Sequence, residues 1–144
     1  METSGLDEFL AEQQFSGVVL VRRGSTTVYE AATGLATLEV YKEEGLLTRG
    51  AELAKYWEDA LHSLKGLPHV IDIRNLGLIG AVELEPIAGS PTKRAFSAFV
   101  KGYEEGILIR TTGDIIAMSP PLIISKAQID ELIGKLGSIL KTLE

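Results

Sequence analysis

The stretch "GILIRTTGDIIAMSPPLIISKAQIDELIGKLGSIL", residues 106–140, decides the fold. Its first half runs in twos. "ILIRTTGDIIAM" reads as a strand, a Gly113-Asp114 turn and a second strand. Its second half runs in threes and fours. Ser125 and Gln128 form a capping box. The helix that follows presents Ile129, Leu132, Ile133, Leu136, Ile139, Leu140 and Leu143 on one face. A hairpin leading into an amphipathic helix is the seed of a two-layer structure, with a helix laid on one face of a sheet.

Working outward, Ser90-Pro91 reads as a helix start with proline at the first helical position. Ala95, Phe96, Phe99, Val100 and Tyr103 would be its buried stripe, and Gly106 its end. "VIDIRNLGLIGAVELE" (70–85) alternates and predicts a strand pair, or a kinked strand, around Asn75–Gly77. Thr48 caps a helix whose apolar face is Leu53, Ala54, Trp57, Ala60, Leu61 and Leu64, with Gly66 and Pro68 stopping it. Leu35, Leu38 and Tyr41 set a shorter helix that ends at Gly45. "FSGVVLVRRGSTTVYEAA" (15–32) predicts a hairpin of Val18–Arg23 and Thr26–Ala31 around Gly24-Ser25, where Gly supplies the positive φ. Residues 4–14 predict a first helix, with Ser4 and Asp7 as capping box and Leu6, Phe9 and Leu10 on one face. The order α-β-β-α-α-β-β-α-β-β-α predicts an α+β fold in one domain, 1–144. Its sheet is mostly antiparallel, with helices packed on one face.

The bounds agree. A chain of 144 residues with 45% hydrophobic and 24% charged residues can build one core. Its net charge of -6 argues against nucleic acid or an anionic membrane as partner. The absence of cysteine excludes disulfides, thiolate metal ligands and a cysteine nucleophile. The longest apolar stretch, Leu76 to Val82, spans seven residues and includes two glycines, too short to cross a membrane. Glu2, Asp7 and Glu8 stand where a signal peptide carries bases, so a cytoplasmic location is expected.

The wording of the chain is itself informative. "LATLEVYKEEGLLTRGAELAKYWEDALHSLKGLPHVIDIRNLGLIGAVELEP" (35–86) and residues 106–140 resemble the C-terminal small domain of class III, pyridoxal-phosphate-dependent aminotransferases. The group resembled is the ω-amino acid:pyruvate, or β-alanine:pyruvate, type. The resemblance runs from about residue 35 to the end. "LDEFLAEQQFSGVVLVRRGSTTVYEAATG" (6–34) is instead similar to the N-terminal helix and hairpin of serine hydrolases of the β-lactamase and penicillin-binding-protein type. Together the two resemblances describe a chimera, natural or engineered, with its crossover at Thr33-Gly34 and Thr33 as helix cap. The hydrolase-like hairpin is expected to add strands to the transaminase-type sheet.

Candidate chemistry follows from these readings. The aminotransferase resemblance implies that Arg110, in "IRTTGD", binds a substrate carboxylate, because a guanidinium offers two parallel donors to two oxygens. Transamination also needs a Schiff-base lysine, an acid at the pyridinium nitrogen and a phosphate cradle. In the family resembled these come from the large domain. The eight lysines of this chain sit on polar helix faces or at helix ends, so no cofactor-binding residue and no catalytic residue is assigned. The hydrolase pattern Ser-x-x-Lys occurs at Ser90–Lys93 and Ser138–Lys141, outside the hydrolase-like segment. Ser90 reads as a helix cap and Ser138 as a residue of the last helix. His62 and His69 lack a ligand pattern, so no metal site is expected. Asp72, Glu83 and Glu85 mark a solvent face. Gly77–Gly80 lacks the G-x-G-x-x-G spacing of a dinucleotide loop. The expected function is therefore a folded module without catalysis of its own. A residual cofactor- or carboxylate-binding fragment is one alternative. A module that self-associates through apolar surface on helices 35–44 and 48–65 is the other.

Overall fold

Alternation in the sequence becomes a four-stranded antiparallel sheet in the computed structural model, which describes residues 5–12, 18–32 and 34–144. Its strands are β3 (Val70–Leu76), β4 (Ile79–Leu84), β5 (Arg110–Thr112) and β6 (Ile115–Met118) in the order β3-β4-β6-β5. They belong to the second of two compact units, Met1–Leu46 and Leu47–Glu144. The helices are α3 (Leu46–His62), α4 (Lys93–Glu104) and α5 (Lys126–Leu140). "VIDIRNLGLIGAVELE" is a strand pair, not one kinked strand: Leu76 pairs with Ile79, and Gly77 takes φ 56° at the turn between them. Leu84 and Val82 of β4, with Ile116 and Met118 of β6, are buried on the sheet face that carries the helices. Their neighbours Ala81, Glu83, Ile115 and Ala117 are only half-buried. That period of two is the two-layer arrangement expected from the sequence.

The core of this unit gathers Trp57, Leu61, Val82, Leu84, Ile116, Ile129, Leu136 and Leu140, each below 2% exposure. Burying one such side chain contributes about 1.5–3 kcal/mol. Gly80 lets α3 lie close to β4. A Cβ there would stand 2.7 Å from Leu61 Cδ2 and 3.0 Å from Trp57 Cζ2 and Nε1. Helix α5 starts as predicted: Ser125 Oγ accepts from the Gln128 N–H at 3.2 Å, and Gln128 Oε1 accepts from the Ser125 N–H at 2.9 Å. Its apolar stripe is buried as expected, with Leu132 partly so. Tyr56 of α3 donates to Asp130 of α5 at 2.6 Å, and that bond raises the phenol's pKa. Lys126 sits 5.0 Å from the centre of the same ring.

Helix α4 departs from expectation in two ways. It begins at Lys93 with Thr92 as N-cap, so Ser90 is not its cap and Pro91 is not its first residue. Thr92 is left-handed (φ 71°) and its side chain caps nothing. Both Asp114 carboxylate oxygens instead accept from the Thr92 N–H at 3.0 Å, so the cap comes from the β5–β6 turn. The buried face also differs in part. Ala95 is buried as expected and is joined by Arg94, Ala98 and Gly102, while Phe96, Val100 and Tyr103 are exposed and Phe99 is half-buried. Small residues bring the helix close to the chain behind it: a Cβ on Gly102 would stand 3.4 Å from the Ile107 carbonyl oxygen.

The first unit contains α1 (Leu6–Glu12), β1 (Val18–Arg23), β2 (Thr26–Ala32) and α2 (Gly34–Glu43). Strands β1 and β2 pair antiparallel with a bulge at Val21/Arg22, and Gly24 takes φ 62° in the turn. They form a two-stranded sheet of their own, so the expectation that this hairpin extends the larger sheet is not met. The predicted caps Ser4 and Thr33 lie outside the described residues. No helix among the described residues is long and apolar enough to cross a membrane.

Candidate functional site

Arg110 opens β5, the edge strand of the larger sheet, and pairs with Ala117 of β6. Its side chain is exposed, and among the described residues no carboxylate or carbonyl engages it. It lines a cleft of about 660 Å³ beside that edge. Phe96 and Phe99 of α4, stacked with ring centroids 6.0 Å apart, form one wall. Leu108, Met118 and Leu132 form another. Pro120, Pro121 and Ile124 close the side towards the chain leading into α5. This volume lies within the range of about 300–1,000 Å³ common for small-molecule sites. Arg110 is the one charged residue in a mostly apolar lining that also holds Thr111 and Ser119, and a guanidinium has the two parallel donors that match a carboxylate's two oxygens.

Two local devices shape the cleft. The Asp114 carboxylate ties the β5–β6 turn to the start of α4, which sets Arg110 against the helix that carries the two phenylalanines. Arg49 of α3 donates through Nη2 to the carbonyls of Ile123 and Ile124, both at 3.0 Å, and pins the proline-containing wall. The sequence pointed to Arg110 alone. Hydrophobicity alone places Phe96 in the core, and no period or motif marks Arg49 or Asp114 as partners of distant main chain.

The other sequence candidates are not gathered with Arg110. Ser90 and Lys93 do not share a helical turn, because α4 starts at Lys93. Ser138 donates to the Gly134 carbonyl at 3.0 Å, which engages its proton inside α5. Lys141, its pattern partner, is exposed. His62 meets Asn75 at 3.1 Å, and His69 stands 3.7 Å from Glu85 across the sheet end. Asp72 and Glu83 both contact Arg74, at 2.5 and 2.8 Å, on the sheet face away from the helices, and their hydrogen bonds raise its pKa. Gly80 of the Gly77–Gly80 stretch backs onto Trp57. Among the described residues no His, Asp and Glu cluster is arranged to hold a metal ion.

The residues present do not by themselves fit pyridoxal phosphate. All eight lysines are exposed or half-buried, whereas a Schiff-base lysine is held in a desolvated pocket where its amine is unprotonated. The cleft beside Arg110 has no lysine in its lining.

The likeness to known proteins covers most of this chain. The pattern of the family Aminotransferase class-III matches residues 17–140, a span that starts inside the segment read as hydrolase-like. An omega-aminotransferase of Caulobacter vibrioides is 53% identical over 109 residues, covering 76% of this chain and 25% of that protein. A beta-alanine–pyruvate aminotransferase of Pseudomonas aeruginosa is 38% identical over 109 residues, covering 76% and 24%. Among solved structures, the adenosylmethionine-8-amino-7-oxononanoate aminotransferase of Methanocaldococcus jannaschii superposes with a TM-score of 0.69 at 29% identity, over 76% of this chain and 26% of that one. The chain thus spans about a quarter of the length of the relatives it matches. A family match over residues 17–140, most of the chain, establishes that it belongs to the class III aminotransferases.

Proposed function

We propose that this chain is the small-domain portion of a class III aminotransferase, that Arg110 is its anchor for a substrate carboxylate, and that the 144 residues alone do not catalyse transamination. The observation that carries the reading is the unpaired Arg110 guanidinium on the wall of the 660 Å³ apolar cleft. The lack of a buried lysine among the described residues supports the second half, because the chemistry needs an amine desolvated against the cofactor. The names of the relatives point to β-alanine or another ω-amino acid, with pyruvate, as the substrate class.

Two measurements test this. Pyruvate titrated against the isotope-labelled chain is expected to shift the amides of Thr111 and Thr112 saturably, and Arg110→Ala is expected to abolish the shift. A β-alanine and pyruvate assay with added pyridoxal phosphate is expected to give no turnover above buffer. Turnover lost in Arg110→Ala, or an aldimine absorbance band saturating at one per chain, would overturn the non-catalytic half. Pyruvate shifts that survive Arg110→Ala would overturn the anchor.

The proposal that residues 5–34 have a separate, hydrolase-like origin has narrower support. The identities to the curated relatives extend over 109 residues, and the hairpin is its own sheet in its own unit. The family match entering the segment at residue 17 weighs towards a common origin. Self-association is a further part of the proposal. Leu38, Leu47, Leu76, Ile79 and Leu108 each remain between 60 and 80% exposed. Leu47, Leu76 and Ile79 line one surface cleft together, and a contiguous exposed apolar patch favours a homo-oligomer; light scattering at the 15.5 kDa of one chain would contradict it.

A further inference from the structure

We infer that the open edge of β3 is where a second copy of this chain pairs, antiparallel and centred on Ile73, so that Asp72 of each copy faces Arg74 of the other. This names the interface for the self-association proposed above, and it rests on that reading. Strand β3 stands at one end of the order β3-β4-β6-β5, with β4 its one strand neighbour among the described residues. An edge strand leaves every second residue's N–H and C=O without a ladder partner. The two edges of this sheet are unlike. Strand β5 has three residues, Arg110–Thr112, and β3 has seven, Val70–Leu76. A very short edge offers little to another chain, whereas seven residues in a row offer a template. Two apolar side chains flank the charged centre of β3 and stay exposed, Ile71 at 57% and Leu76 at 79%.

Charges on an edge strand ordinarily keep other strands away, because like charges meet across the new ladder. Asp72 and Arg74 are spaced to do the reverse. Two antiparallel copies of β3 related by a two-fold axis at Ile73 put residue 72 opposite residue 74 twice, so each carboxylate meets a guanidinium. An axis at Asp72 would set carboxylate against carboxylate, and an axis at Arg74 guanidinium against guanidinium. The Asp-Ile-Arg triplet therefore selects one register. Within the chain, Asp72 and Glu83 both contact Arg74 through Nη1, at 2.5 and 2.8 Å. A guanidinium carries further N–H donors on Nε and Nη2, so it can meet one more carboxylate. The side chains of Arg74 and Asp72 are 48% and 53% exposed, which leaves both within reach of a second copy. The axis at Ile73 also keeps the two helix layers on one side, and two four-stranded sheets become one of eight strands. The bulge between Val70 and Asp72 lies at the start of β3, to one side of that centre.

Sedimentation equilibrium up to about 1 mM chain is the test. A reversible dimer weakened by salt is expected, since a single strand pair is a small contact and its charges stand in water. Amide exchange is expected to slow in β3, and not in β5, as concentration rises. Asp72→Arg and Arg74→Asp each set like charges opposite one another in the self-pair, and each is expected to weaken the dimer about tenfold or more. Mixing the two variants sets opposite charges face to face again, and so does one chain carrying both substitutions. Each is expected to recover the parent's affinity, which a folding defect would not imitate. The double variant still places an arginine beside Glu83, because Asp72 is its ladder partner, and it decides alone if a single variant fails to fold. One-chain mass at about 1 mM would overturn the self-association reading and this inference together. A dimer unmoved by either single variant, or not recovered in the mixture and the double variant, would overturn the edge pairing alone and leave the cleft of Leu47, Leu76 and Ile79 as the interface. Protection of β3 that is equal at every concentration would show its edge occupied from within the chain, and would overturn the pairing too.

Discussion

Gly80→Ala probes the contact between α3 and the sheet. The added Cβ would lie 2.7 Å from Leu61 Cδ2 and 3.0 Å from two atoms of the Trp57 ring. Reaching ordinary van der Waals separation asks Leu61 to retreat by about 0.7 Å. Both neighbours are fully buried, so neither has open space to retreat into. Overpacking of this kind costs about 1–3 kcal/mol. Replacing glycine inside a strand returns about 0.5–1 kcal/mol of backbone entropy. The expected net destabilisation is about 1–2 kcal/mol, a fall in the thermal midpoint of about 5–15 °C for a unit of this size. Urea denaturation followed by fluorescence measures it directly, because the chain has one tryptophan and it is the residue being pushed. Trp57→Phe in the Gly80→Ala background, followed by circular dichroism, is expected to recover part of the loss, since the smaller ring removes the two 3.0 Å contacts and the indole N–H that has no acceptor. A Gly80→Ala protein as stable as the parent, with unchanged tryptophan emission, would refute the close approach of α3 to β4.

Asp114→Ala is expected to cost about 1–2 kcal/mol in urea, the value of an N-cap, and Asp114→Asn less, because an amide oxygen still accepts from Thr92. Equal effects of the two would show that charge, not geometry, holds the start of α4. The Glu131–Lys135 pair at 2.8 Å lowers the Glu131 pKa from 4.5, chiefly through the hydrogen bond. A folded-state value below the unfolded one means that the pair stabilises above about pH 4.5 and that this is lost as pH falls through the folded value. Lys135→Gln is expected to bring the Glu131 titration, read by NMR, back up to its ordinary range, and an unmoved titration would rule out Lys135 as the cause.

The parts of the fold legible in the sequence are those written locally. Ser125 and Gln128 cap α5 three residues apart, Gly113 and Gly77 turn their hairpins with positive φ, and the α5 stripe repeats at helical spacing. The cues that set the start and the face of helix α4 are not local. Its cap is a carboxylate 22 residues later in the chain, and the arginine on its buried face answers to main-chain oxygens 9 and 50 residues away. Apolar character put Phe96, Val100 and Tyr103 inside. Close approach put Ala98 and Gly102 there beside the expected Ala95, since a helix lies nearest along its smallest side chains.

The same rotation of α4 makes the candidate site. Had Phe96 gone into the core, as its hydrophobicity suggests, the wall opposite Leu108 would be missing and Arg110 would stand on an open sheet edge. Turned outward, Phe96 and Phe99 meet the edge strand across the cleft. Two polar ties then limit what can move: Asp114 fixes the arginine's hairpin to α4, and Arg49 fixes the proline wall to α3. Family resemblance located the arginine from its neighbours in sequence. The cleft beside it comes from a helix face that sequence character alone assigns to the wrong side.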